Sequence, residues 1–124
     1  MSEKSRSTPT AAESWTIRAE DAAVAHLTIP GALNRTRIFD IDVQLVVRVD
    51  AVAPAPELGL RLEIDGAMQW SRTIAACGAG QTDSLDYHCR LVVESGRDVR
   101  LRARAVHKQA RVLSLTISAA EDPG

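Results

Sequence analysis

At 124 residues the chain has the size of one domain, long enough to bury roughly two thirds of its unfolded surface without disulfide or metal staples. Charged residues make up 25% and the formal net charge is −1, which excludes a global electrostatic pull towards nucleic acid or anionic membrane; any charged partner must be recruited by a local patch. No stretch approaches the ~20 apolar residues of a membrane-spanning helix, and the start of the chain lacks the apolar core of a secretory signal. A cytoplasmic protein is the expectation, although export by another route, or trimming to a mature form, leaves the same sequence.

In chain order, residues 1–13 are polar, contain Pro9 and carry no periodic apolar residues, which predicts a disordered tail. Trp15, Ile17 and Ala19 then alternate with Thr16 and Arg18. This two-residue period predicts a strand despite the helix-like Ala19-Glu20-Asp21-Ala22-Ala23. Ala25, Leu27 and Ile29 alternate with His26 and Thr28 until Pro30-Gly31 ends the run. The clearest alternation spans 37–49. Phe39, Ile41, Val43, Leu45, Val47 and Val49 share one parity, and Asp40, Asp42, Gln44 and Arg48 the other. Successive side chains of a strand point to opposite faces, so one face is dry and one wet.

After the stiff Ala53-Pro54-Ala55-Pro56 connection, Leu58, Leu60 and Leu62 alternate up to Asp65-Gly66, a hairpin signal. A three-residue loop with Gly66 as a left-handed bulge sets Leu62 opposite Met68 and Leu60 opposite Trp70, keeping the large apolar groups together; that register is the expected one. Past the glycine loop 78–83, residues 85–93 alternate, with Tyr87 and Cys89 on the dry parity. A turn at 94–98 leads to Val99, Leu101, Ala103 and Ala105, interleaved with Arg100, Arg102 and Arg104. The last run places Leu113, Leu115, Ile117 and Ala119 inward, with 121–124 as a frayed end.

About eight strands, each with one apolar parity, cover a core from one side only, so two sheets face to face are the economical solution. The expected fold is an all-β antiparallel sandwich over 14–120, jelly-roll-like, with a closed barrel as the alternative. The immunoglobulin pattern is absent, because Trp70 precedes both cysteines. A jelly-roll order pairs strands 1-8-3-6 and 2-7-4-5. One outer face then carries Asp40, Asp42, Asp86, His88 and Arg90 and is mildly acidic. The other carries His26, Arg61, Glu63, Arg100, Arg102 and Arg104 and is basic.

The arginine row Arg97, Arg100, Arg102, Arg104 is the least ordinary feature. Alternate arginines on a strand project the same way about 7 Å apart, close to oxyanion spacing on an extended polyanion, and guanidinium chelates such groups with paired hydrogen bonds. The competing reading is a solvated face balanced by Glu63, Glu94 and Asp98. All four aromatics lie on inward parities, so no ring is free to stack on a base or a sugar, and specific nucleic-acid readout is not expected. Asp40, Asp42, Asp86 and His88 share a flat face without a calcium-loop motif, and the three histidines have no ligand spacing; no metal site and no cofactor is expected. Ser84, Asp86 and His88 lie close in sequence, but a triad needs converging strands, so no catalytic residue is assigned. Cys77 and Cys89 lack a C-x-x-C spacing and are expected as free thiols; a bridge would need Cys89 beside the glycine loop. The outward apolar residues are Ile38, Val46, Val92, Val106 and Val112, a density ordinary for a monomer surface; Val46 and Val92 fall on one sheet, and were these residues to coalesce they would make a modest homo-oligomer patch.

These observations point to a non-enzymatic binding module acting on a protein partner through a sheet face or the loops at 30–37, 50–57 and 78–84. The alternative is polyanion binding (nucleic acid or sulfated glycan) by the arginine face, and the third a carbohydrate- or metal-binding sandwich.

Overall fold

The computed structural model describes residues 12–20 and 22–123. Its strands, in chain order, are β1 (Ser14–Glu20), β2 (Val24–Ile29), β3 (Arg37–Val49), β4 (Glu57–Ile64), β5 (Ala67–Ala75), β6 (Thr82–Val93), β7 (Val99–Lys108) and β8 (Ala110–Glu121). Every ladder is antiparallel, and two four-stranded sheets result, ordered β1-β8-β3-β6 and β2-β7-β4-β5. The chain is an all-β sandwich, and its strand order is the one that a jelly-roll arrangement, assumed and not dictated by the alternation, would give. No helix occurs among the described residues, hence none long and apolar enough to cross a membrane. The stretch 1–11, expected as a tail, lies outside the described residues.

β3 is the spine of the first sheet, paired along both flanks to β8 and β6. Its inward positions (Arg37, Phe39, Ile41, Val43, Leu45, Val47, Val49) are all at most 3% exposed. Leu58, Leu60 and Leu62 of β4 and Leu101 and Ala103 of β7 meet them from the second sheet, each at most 1% exposed. Each such leucine or isoleucine contributes about 1.5–3 kcal/mol by leaving water.

Two registers differ from expectation. The β4–β5 hairpin turns on two residues, Asp65 (φ 51°) and Gly66 (φ 83°), both left-handed, as a tight twisted turn demands. Asp tolerates that region and Gly enters it without strain. The expected bulge at Gly66 is therefore absent; the extra residue is Gln69, past the turn. Ile64 faces Ala67 and Glu63 faces Met68, then the register shifts so that Leu62 faces Trp70 and Leu58 faces Ile74. Burial is the physical reason. Without the shift Trp70 would turn to solvent; with it Trp70 stacks on Tyr87, ring centroids 4.2 Å apart and planes 11° from parallel. Met68, left on the wet side, is 54% exposed. A second shift lies where β8 pairs with β3: Val46 faces Ser114 but Val47 faces Val112, leaving Leu113 unmatched. It turns Val112 inward, at 6% exposure, where the uninterrupted alternation placed it outward.

The ends are also tighter than expected. Glu121 belongs to β8 rather than to a frayed end, its N–H donating to the Glu13 carbonyl, while Asp122 N–H donates to Ile38. Glu13, assigned to the tail by its polarity, is held as well. Its carboxylate pairs with Arg37 at 2.7 Å, and the other Arg37 amine donates to the Pro30 carbonyl. Arg37 is a buried cation, 3% exposed, lying 5.0 Å over the Phe39 ring. One guanidinium thus joins the chain before β1, the end of β2 and the start of β3. Gly31 adds a close approach: a Cβ there would sit 2.5 Å from the Arg97 nitrogen, so the β2–β3 loop and the β6–β7 turn touch backbone to backbone.

Both cysteines are free. Cys89 faces Ile41, whereas Cys77 lies beside Thr82 and Asp83 at the other end of β6, six residues or about 20 Å along the strand and beyond disulfide reach. Desolvation, then the Asp83 carboxylate, push the Cys77 thiol above its ordinary pKa.

Phe39→Ala should lower unfolding stability by about 3–5 kcal/mol in urea titration, and Met68→Ala by no more than about 0.5 kcal/mol. Glu13→Ala should cost about 1–2 kcal/mol, below the cost of breaking a fully buried pair because the Glu13 side chain is half exposed, and Arg37→Met in the same chain should recover part of that loss. In a Cys89→Ser background, Asp83→Asn should speed the reaction of Cys77 with a disulfide reagent at pH 8. Removing the negative charge lowers the thiol pKa and raises the thiolate fraction; equal rates at pH 8 would exclude that coupling.

Candidate functional site

The outer face of the sheet β2-β7-β4-β5 is built by the wet parities of β7 and β4. Arg100, Arg102 and Arg104 alternate with Leu101, Ala103 and Ala105, which are at most 6% exposed, so burial of the small apolar residues forces the arginines outward. Across the ladder, Arg100 faces Thr28, Arg102 lies between His26 and Glu63, and Arg104 lies between Val24 and Arg61. Of the four arginines singled out in the sequence, three therefore share one strand face. Arg97 stands apart, in the turn before β7, with its guanidinium 67% exposed and 3.8 Å from Asp65. Lys108 ends β7 opposite Glu57, and Arg111 belongs to the other sheet, opposite Arg48.

Electrostatically the row is unevenly satisfied. Arg102 has a carboxylate partner, Glu63, at 3.6 Å, while its Nε is buried without a hydrogen-bond partner. Arg104 and Arg61 face each other directly, both exposed, and neither guanidinium meets a carboxylate among the described residues. Directly opposed residues on antiparallel strands lie about 4.5–5.5 Å apart at Cα, and like charges there are destabilising. At the end of the face, Asp65, Gly66, Arg97, Asp98 and Arg100 line a shallow hollow of about 480 Å³. Asp65 fixes its floor by accepting the Arg100 N–H at 2.9 Å, and Asp98 fixes its rim by accepting the Gly31 N–H at 2.7 Å.

The alternation placed Arg61 and His26 on this face once the strand order was assumed. The direct opposition of Arg61 and Arg104 had no signal, because β4 and β7 are joined by a crossover whose register nothing local dictates.

The other outer face is mixed rather than mildly acidic. Asp40, Asp42 and Asp86 occupy its middle, but Arg18, Arg48, Arg90 and Arg111 share it. Arg90 engages Asp122 and lies 3.8 Å from Asp40; that hydrogen bond, then the Asp40 charge, hold its guanidinium pKa above the ordinary value. His88 Nε2 sits 3.4 Å from Asp40. Ser84, Asp86 and His88 form a straight row along β6, about 7 Å per step, so they do not converge as a triad. Among the described residues no group of three or more His, Cys, Asp or Glu stands close enough to hold a metal ion. Asp42, Gln44, Asp86, Thr116 and Ser118 surround a hollow of about 310 Å³. Val46 faces Ser84 and Val92 faces Ile38, so the two valines are not side by side; the exposed apolar pair is Val92 with Ile38, 53% and 40% exposed. All four aromatics keep their inward parity: Trp15 packs against Phe39 with centroids 5.8 Å apart, and Trp70 against Tyr87.

No protein-family model matches this chain, and no curated protein does. Solved structures with a similar arrangement of strands include the following two. Dimeric latent PorU from Porphyromonas gingivalis is 10% identical with a TM-score of 0.43, over 90% of this chain and 13% of that one. A family 35 carbohydrate binding module from Clostridium thermocellum is 11% identical with a TM-score of 0.41, over 86% of this chain and 90% of that one. This chain thus spans a small part of the PorU chain, and at such identities the likeness concerns the arrangement of strands alone.

Proposed function

We propose that the chain is a non-enzymatic binding module whose working surface is the outer face of β2-β7-β4-β5. Its ligand is a linear polyanion, a polymer carrying phosphate or sulfate groups at a regular spacing. The observation that carries the reading is the Arg61–Arg104 opposition in line with Arg100 and Arg102 on one face; Arg48 and Arg111, likewise opposed on the other sheet, have no such row beside them. Among the described residues these two exposed guanidiniums stand against each other without a carboxylate and repel, and an oxyanion bridging them relieves that repulsion while accepting paired hydrogen bonds from each. Arg100, Arg102 and Arg104 repeat every two residues, about 7 Å apart, and give a straight track of matching period.

The absence of outward rings shapes the specificity. With Trp15, Phe39, Trp70 and Tyr87 turned to the interior, this face reads charge and spacing, not bases or sugar rings. Overall charge contributes nothing to retention, since the net value is −1; the local track does the recruiting. An acidic protein surface, the other partner a basic sheet face can take, presents carboxylates at irregular spacing.

The wild-type chain should bind heparin at low salt and elute as salt rises, and the Arg61→Ala/Arg104→Ala double variant should elute markedly earlier. With a fluorescent single-stranded DNA homopolymer or a sulfated oligosaccharide as probe, the slope of log K against log salt should become shallower in that variant, on the DNA by roughly 1.4, about 0.7 for each of the two lost phosphate contacts. Comparing the two probes identifies the phosphate or sulfate source. Unchanged elution and slope would remove polyanion binding.

A further inference from the structure

Four strands end the two sheets: β1, β2, β5 and β6. An open edge offers unpaired N–H and C=O groups to another strand, and folds usually blunt it with a bulge, a proline or a charge aimed inward. β5 has such devices, the Gln69 bulge and an exposed Arg72 on the inward parity between Trp70 and Ile74. β1 and β2 are short, at 7 and 6 residues. β6 is different. It runs 12 residues, pairs with β3 without a register shift and contains no proline; its one inward charge, Asp83, lies at the end of the strand and is held by the Cys77 N–H, and from Leu85 to Val93 only apolar residues point inward. Those inward residues are also under-covered: Tyr87, Cys89 and Leu91 remain partly exposed, whereas Ile41, Val43 and Leu45 on the neighbouring strand are at most 1% exposed.

We infer that β6 is a self-association edge and that its partner is a second copy of this chain, paired antiparallel about a twofold axis with His88 opposite the partner's His88. The argument is self-complementarity. A pairing that keeps dry faces together must match odd with odd and even with even positions, so one residue stands opposite its own copy with the axis between them. Centred on His88, Asp86 meets the partner's Arg90 and Arg90 meets the partner's Asp86. Inside, Tyr87 meets the partner's Cys89 and Leu85 the partner's Leu91. Centring on Tyr87 sets Arg90 against the partner's Ser84, and centring on Cys89 sets His88 against the partner's Arg90; neither yields the two opposite-charge pairs. Asp86 has no hydrogen bond or ion pair of its own among the described residues, leaving its carboxylate available. Arg90 engages Asp40 and Asp122, yet a guanidinium has five donors and accommodates a third acceptor. The joined sheet has eight strands, and the axis normal to it turns both arginine faces the same way.

The test uses the full chain and sedimentation equilibrium. Wild type should show twice the monomer mass. Asp86→Arg and Arg90→Asp should each sediment as monomers, since each sets like charges against each other. An equimolar mixture of the two variants should recover the dimer, because the arginine introduced in one then meets the native Arg90 partner position now carrying aspartate in the other; that recovery also shows that both variants are folded. In a Cys77→Ser/Cys89→Ser background, His88→Cys should form an intermolecular disulfide on oxidation. A monomeric wild type overturns the inference. So does a dimer indifferent to both charge changes, or a bridge forming through native Cys89 in a Cys77→Ser chain while His88→Cys stays unlinked.

Discussion

The structure depends on keeping one parity of β3 dry along its whole length. β3 is flanked by long partners on both sides, and its seven inward positions seal against β4 and β7 with at most 3% exposure. Everything that pairs with it inherits its phase. A neighbouring strand whose sequence drifts out of phase must either expose a large apolar residue or add one residue to recover. β8 takes the second course at Leu113, which brings Val112 inward. In the other sheet, β5 does the same at Gln69, which brings Trp70 onto Tyr87. The two bulges are consequences of one constraint: a strand has a period of two, and a slip of one reverses every side chain.

The same constraint explains where charge resides. Inward positions tolerate almost none, and the buried exception, Arg37, is permitted because Glu13, the Pro30 carbonyl and the Phe39 ring surround it. Charges are otherwise expelled to the two outer faces. On the first sheet carboxylates and guanidiniums intermix, Asp40 pairing with Arg90 and His88 while Arg48 stands opposite Arg111. On the second, arginines outnumber carboxylates, and Glu63 answers only Arg102. A near-neutral chain thus presents one predominantly basic face, and that asymmetry underlies the proposed binding role.

The rings follow the opposite rule. Trp15, Phe39, Trp70 and Tyr87 supply bulk that the small inward residues of β7 do not, and all four are consumed in doing so. Committing every ring to the interior leaves an exterior whose chemistry is ionic and hydrogen-bonding. It also leaves the β5–β6 side as the thinnest part of the core covering, since Trp70 and Tyr87 cover there what β-strand pairing covers elsewhere.

Much of this was legible in the residues themselves. Odd-and-even segregation set the fold class, located β3 at 37–49, put the four aromatics inside and the arginines of β7 outside, and marked the Asp65-Gly66 turn. Each is a local property, decided within a few residues by whether a side chain prefers water. What needed the tertiary structure was relational. Alternation states which face a residue occupies but not which residue stands beside it, so Arg61 opposite Arg104, Val92 beside Ile38 rather than Val46, and the Arg48–Arg111 pair on the mixed face emerged only with register. The bulges at Gln69 and Leu113 belong there too, because the energy that selects them is burial against a sheet contributed by distant parts of the chain.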